Sequence, residues 1–113
     1  MISNHDGLAA ELILAGEKTG ERVWRLPLWD EYRELLKSEV ADLSNLGSKP
    51  GAGTILGGAF LEKFIGNTPW VHLDIAGTAY SDGDAVYTKG ATGMGIRLLV
   101  EWLEEKVAAP KKG

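Results

Sequence analysis

Only one stretch of this chain alternates over the length of a strand: Trp70-Val71-His72-Leu73-Asp74-Ile75-Ala76. Val71, Leu73 and Ile75 point to one face, and His72, Asp74 and Ala76 to the other. A strand needs neighbours to take up its N–H and C=O groups, and the remaining sequence offers few. Arg22-Val23-Trp24-Arg25-Leu26 alternates weakly and is stopped by Pro27. The other apolar runs recur at helical spacing. The chain therefore reads as α/β, helix-rich, with too few strands to close a sheet of its own, and so as a fragment.

Four helices are expected. Ser3 followed by Asp6 resembles a capping box and opens a helix to about Lys18, with Leu8, Leu12 and Ala15 on one face and Gly20 as its terminator. Asp30 can cap a second, through Ser38, with an apolar stripe of Tyr32, Leu35, Leu36 and Val40. Thr54–Ile65 reads as a third, buried on most sides by Ile55, Leu56, Ala59, Phe60, Leu61 and Phe64. Gly57 and Gly58 inside it cost roughly 1 kcal/mol each against alanine, which is tolerable where a helix lies close against a sheet. Thr92 can cap a last helix, Gly93 to about Val107, with Ile96, Leu99, Val100, Leu103 and Val107 as a core face. Gly77–Thr88 between them reads as irregular loop.

At 113 residues the chain is one domain or a piece of one, spanning 1–113 without a composition break. The absence of cysteine excludes disulfide scaffolds and thiolate metal sites. A net charge of −4 with no basic block argues against nucleic acid. The longest uncharged run, Pro50–Leu61, falls short of the roughly 20 residues of a membrane span. The first residues lack the basic and apolar regions of a secretory signal. The tail from Ala108 to Gly113 reads as a frayed, solvated end. Fifteen glycines are the one departure from ordinary usage, clustered at Gly47–Gly58, Gly77–Gly83 and Gly90–Gly95 beside apolar elements.

Several residues invite a chemical reading. His72 and Asp74 share a strand face and could take part in a metal site or a general-base relay. Backbone hydrogen bonding at a strand end is the favoured account, because no third ligand stands out. His5, the other histidine, sits at the frayed start. Asp74-Ile75-Ala76-Gly77-Thr78 puts a carboxylate, a glycine turn and a hydroxyl past a strand's carboxyl end, where α/β ligands bind. Gly90-Ala91-Thr92-Gly93-Met94-Gly95 opens the last helix and could offer N–H groups to an anion. It is not the dinucleotide fingerprint, and packing and capping account for it better. Trp24, Trp29, Trp70 and Trp102 read as core or subunit contacts, and Glu104-Glu105 as solvated.

The ordered blocks carry more than any single motif. Gly20-Glu21-Arg22-Val23-Trp24-Arg25-Leu26-Pro27-Leu28, Ala41-Asp42-Leu43-Ser44-Asn45, Phe60–Phe64 with Pro69–Thr78, and Lys89-Gly90-Ala91-Thr92-Gly93 follow one another in register. Together they resemble the leucyl (cytosol) aminopeptidases, peptidase family M17, over about Asn4–Glu105. The resemblance implies the C-terminal part of that catalytic domain, a portion of a three-layer αβα sandwich. It also implies a cytoplasmic, oligomeric parent that removes N-terminal residues such as leucine from peptides with two divalent ions, zinc or manganese.

The family's Asn-Thr-Asp-Ala-Glu-Gly-Arg segment, which supplies metal-binding carboxylates and a catalytic arginine, does not occur in this sequence. The resemblance thus implies no catalytic or metal-binding residue and no cofactor in this chain, and a product truncated or proteolysed relative to the family. What it retains is substrate-side: Ala76 and Ala79 match positions lining the pocket for the substrate's N-terminal side chain. Both are small enough to leave room for leucine or methionine. The chain alone is expected to be inactive and, with uncovered strand edges and helix faces, to self-associate. A free-standing α/β binding or interaction module is the alternative.

Overall fold

The computed structural model describes residues 1–108. The lysine-bearing end, Ala109–Gly113, lies outside the described residues. In chain order the elements are β1 (Ile2–Ser3), α1 (Asp6–Thr19), α2 (Asp30–Glu34), α3 (Gly53–Glu62), β2 (Val71–His72), β3 (Tyr80–Ser81), β4 (Gly90–Ala91) and α4 (Ile96–Ala108). The α/β, helix-rich character with few strands is as expected. The strands form two antiparallel pairs, β1 with β2 and β3 with β4. Contacts divide the chain into two compact units, Met1–Ala9 with Trp24–His72, and Ala10–Val23 with Leu73 onward.

The first unit is organised around the amino-terminal residues. Ile2 pairs with His72 and Ser3 with Val71, so the partner of the clearest strand is the chain's own start. Arg22–Leu26 forms no strand. Its Trp24 carbonyl instead accepts from the Met1 ammonium at 2.9 Å, and Leu26 N–H reaches the Met1 carbonyl at 2.9 Å. The Asn4 amide clasps Thr68 O at 3.0 Å and Trp70 N–H at 2.9 Å. Ser3 does not cap α1, since its hydroxyl donates to Trp70 O at 2.8 Å. The cap is His5, whose Nδ1 accepts from Leu8 N–H at 3.0 Å, so His5 is neither frayed nor idle.

Ile2, fully buried, seats against α3, where a Cβ added at Gly58 would stand 2.6 Å from Ile2 Cδ1. Beside this contact Leu36, Leu56 and Ala59 form a core with Leu28, Tyr32, Leu35, Leu43 and Phe60 packed on it. Arg33 on α2 grips Glu62 on α3 with two parallel bonds, 2.7 Å from Nε and 2.9 Å from Nη2, the fork geometry that makes such a pair specific.

Helix α2 stops at Glu34 rather than Ser38 because the next carbonyls are taken elsewhere. Leu35 O and Leu36 O accept from Ser48 and Ser44, and Ser38 Oγ draws off the Val40 and Ala41 N–H groups. Its N-cap is Trp29 rather than Asp30, without a side-chain bond, and Val40 stands in solvent at 97% exposure. Leu61 and Phe64 are likewise exposed, so α3 buries only the face carrying Ile55, Leu56, Gly58 and Ala59.

In the second unit α1 and α4 run antiparallel, as their ion pairs show. Glu11 meets Lys106 at 2.6 Å and the Trp102 indole N–H at 2.9 Å, while Lys18 meets Glu101 and Glu105. Glu105 is therefore partnered rather than simply solvated. Gly77–Thr88 is not wholly irregular: Tyr80 pairs with Ala91 and Ser81 with Gly90. The connecting turn is held by Asp84, whose carboxylate accepts from Tyr87 and Val86 N–H groups at 2.7 Å each, which lowers its pKa. The stripe read as the core face of α4 is in solvent, with Ile96, Leu99, Val100, Leu103 and Val107 all exposed. Leu98, on another face, is the fully buried residue.

The glycine pair of α3 yields a test, because the two residues differ only in what they face. Nothing lies within 4 Å of a Cβ at Gly57, so G57A should raise stability by up to about 1 kcal/mol through helix propensity. G58A should lower it by about 1–3 kcal/mol through overpacking against Ile2. Thermal melts of the two variants should move in opposite directions.

Candidate functional site

The strand carrying His72 ends there, so the register expected to bring His72 and Asp74 onto one face does not reach Asp74. The His72 ring stacks on Trp70, centroids 6.2 Å apart. Asp74 instead opens a turn, its Oδ1 accepting from Ala76 N–H at 3.1 Å. Ile75 O then receives the N–H groups of Thr78 at 2.9 Å and Ala79 at 2.8 Å. The bonds that would have continued a strand are spent inside this loop, which presents Ala76 in the open and Ala79 half-buried. Of the four tryptophans, Trp24 at 84% and Trp29 at 61% exposure are not core.

Loop Asp74–Ala79 is fastened by Thr92, just after β4. The Thr92 hydroxyl donates to Thr78 O at 2.6 Å, and the Thr92 N–H reaches Ala79 O at 3.0 Å. The same hydroxyl accepts from Met94 N–H at 3.2 Å. The glycine-rich run behind it requires backbone that L side chains avoid: φ is +136° at Gly90, +69° at Gly93 and +94° at Gly95. Those glycines postpone α4 to Ile96, three residues later than the sequence pattern places it.

The N–H groups that the run turns toward a prospective anion are already occupied. Glu21, 3% exposed, sends Oε2 to Gly95 N–H at 3.1 Å and Leu98 N–H at 2.9 Å. Its Oε1 meets Arg97 Nε at 3.1 Å. Glu21 is thus the carboxylate at the N-terminus of α4, a part the sequence pattern gave to Thr92. Nothing local signals it: 74 positions separate Glu21 from Gly95, and the acid simply follows the helix-ending Gly20.

Burial pushes the Glu21 carboxyl up, but the Leu98 N–H, the Arg97 guanidinium and the Gly95 N–H together outweigh it and hold the pKa below the ordinary glutamate value. Among the described residues no three His, Cys, Asp or Glu side chains gather closely enough to hold a metal ion. A two-metal centre does not fit these residues, and no step through one is assigned to them.

The family described as "Cytosol aminopeptidase family, catalytic domain" matches residues 1–100. The probable cytosol aminopeptidase of Syntrophotalea carbinolica is 51% identical over 107 residues, covering 94% of this chain and 21% of its own length. That of Geotalea uraniireducens is 55% identical over 104 residues, with 91% and 21% covered. The crystal structure of cytosol aminopeptidase from Coxiella burnetii superposes with a TM-score of 0.85 at 40% identity, over 93% of this chain and 23% of that one. A mutant of tomato leucine aminopeptidase gives a TM-score of 0.81 at 42% identity, over 92% and 20%. The chain spans about a fifth of the length of the relatives it matches.

Glu21 sets an expectation for acid stability. Its folded pKa lies below its unfolded one, near 4.3, so its stabilisation is complete above that value and is lost as pH falls through the folded pKa. E21Q should cost about 1–3 kcal/mol near neutrality, because it takes the charge from the oxygen that holds two backbone N–H groups and sets an amide NH₂ against the Arg97 guanidinium. The gap between the wild-type and E21Q proteins should narrow below about pH 4. Urea titrations at pH 7 and pH 3.5 would show whether it does.

Proposed function

Since this chain belongs to the cytosol aminopeptidase family, we propose that it furnishes the substrate-side wall of that family's active site in a parent enzyme that removes residues such as leucine from peptide N-termini. The two divalent ions, zinc or manganese, that polarise the peptide carbonyl and activate water belong on this reading to other segments of the catalytic domain. The observation that supports it is the loop Asp74–Ala79, whose backbone is tied down at both Thr78 O and Ala79 O and which carries the two alanines that the family resemblance sets at the pocket.

Methyl-sized walls leave space for an apolar substrate side chain, and fully burying a leucine is worth about 1.5–3 kcal/mol. That energy favours such a residue at the substrate's N-terminus without needing a charged partner in the wall. The setting is the cytosol, the compartment in the relatives' names; no helix among the described residues is long and apolar enough to cross a membrane.

The purified chain, given Zn²⁺ or Mn²⁺, should not hydrolyse leucine p-nitroanilide. A chimera carrying it in place of the matching segment of the Coxiella burnetii enzyme should. Metal-dependent turnover by the chain alone would overturn the proposal.

Self-association of the isolated chain belongs to the same reading. The Ile96, Leu99, Val100, Leu103 and Val107 stripe, 42–86% exposed, is a continuous apolar face of the kind that finds a partner. Light scattering should show mass rising with concentration. A monodisperse monomer with a sharp cooperative melt would favour the free-standing α/β module instead.

A further inference from the structure

Thr92 is the single residue between two well-held pieces of the second unit. Behind it Gly93–Gly95 leads to the Gly95 N–H bound by Glu21 at 3.1 Å. Before it lies the β3–β4 pair, with Tyr80 opposite Ala91. Across from it is the loop carrying Ala76 and Ala79. Its hydroxyl has one proton, given to Thr78 O at 2.6 Å, and receives one, from Met94 N–H at 3.2 Å. With both functions engaged, the hydroxyl cannot turn away from the loop without giving up a bond. The backbone N–H adds a third tie, to Ala79 O at 3.0 Å.

We propose that Thr92 is a positioning residue for the substrate: by holding the carbonyls of Thr78 and Ala79 it sets where the Ala76 and Ala79 methyls stand against an apolar substrate side chain. This rests on the reading of that loop as pocket wall. The loop's internal bonds run to Ile75 O and, from Ala76 N–H, to Asp74 Oδ1, so they fix its curl but not its place relative to β4. At the Ala79 end that place comes from β3, paired with β4, and the Thr92 bonds extend the hold back to Thr78. A shift of the wall weakens contact with the substrate side chain equally in ground and transition states, which raises KM and spares kcat.

Valine matches threonine in shape but has no hydroxyl, whereas serine keeps it. In the isolated chain, T92V should make the amides of Thr78, Ala79 and Met94 exchange with deuterium about fivefold faster, the effect of losing one net hydrogen bond. T92S should exchange as wild type, and the Leu98 amide should be unmoved. In the chimera, T92V should raise KM for leucine p-nitroanilide several-fold with kcat within about twofold, and T92S should restore it. Unchanged exchange in T92V, or an increase that spreads to Leu98, overturns the positioning role itself. Faster loop exchange with an unmoved KM overturns it as a role toward substrate, and with it the reading of the loop as pocket wall.

Discussion

The second unit depends on one nearly buried carboxylate. A charge at 3% exposure is unfavourable unless its oxygens are fully engaged, and Glu21 meets that condition with two backbone N–H groups and one guanidinium. The bonds decide several other features. They bring the N–H groups of Gly95 and Leu98 onto one oxygen, just past the positive-φ turn at Gly93 and Gly95. They bring Leu98 into the interior beside Gly16, where an added Cβ would lie 2.7 Å from Glu21 O and 3.3 Å from Leu98 Cδ1. A side chain at position 16 would push away both the carboxylate's own backbone and the leucine it helps to bury.

The first unit is built without a buried carboxylate of this kind. Its anchor is the chain's start, where Met1 and Ile2 are buried and Ile2 fills the notch at Gly58. Main-chain bonds from Met1 to Trp24 and Leu26, and side-chain bonds from Ser3 and Asn4 to the Thr68–Trp70 segment, surround it. Short strands suffice because these flanking bonds extend what a two-residue ladder begins. The helix pair is then closed by apolar packing and by the Arg33–Glu62 fork.

In the second unit several charged and polar side chains hold the backbone. Glu21, Asp74, Asp84 and Thr92 each accept from backbone N–H groups. The family is metal-dependent, and what the described residues show is scaffold: polar groups that hold helix starts, turns and the Asp74–Ala79 loop. The exposed stripe of α4 belongs to the same picture. In an amphipathic helix the apolar face is set by sequence, but whether it is covered depends on what surrounds it.

Helical periodicity was enough to locate α1, α3 and α4 to within a few residues, since i, i+3 and i+4 contacts are local. Ordered blocks from Gly20 to Gly93 were enough to mark the family. The lone alternating run was enough to announce a sheet poor in strands. What periodicity could not say was which face of α4 is buried, that β2 pairs with Ile2–Ser3, that it ends at His72, or that His5 and not Ser3 caps α1. Each of these turns on competition for a particular N–H or C=O group, and the winner is often far along the chain: Trp70 O for Ser3, Glu21 for Gly95 and Leu98. Local pattern records what a residue prefers; only the folded backbone decides which distant partner comes within hydrogen-bond reach of it.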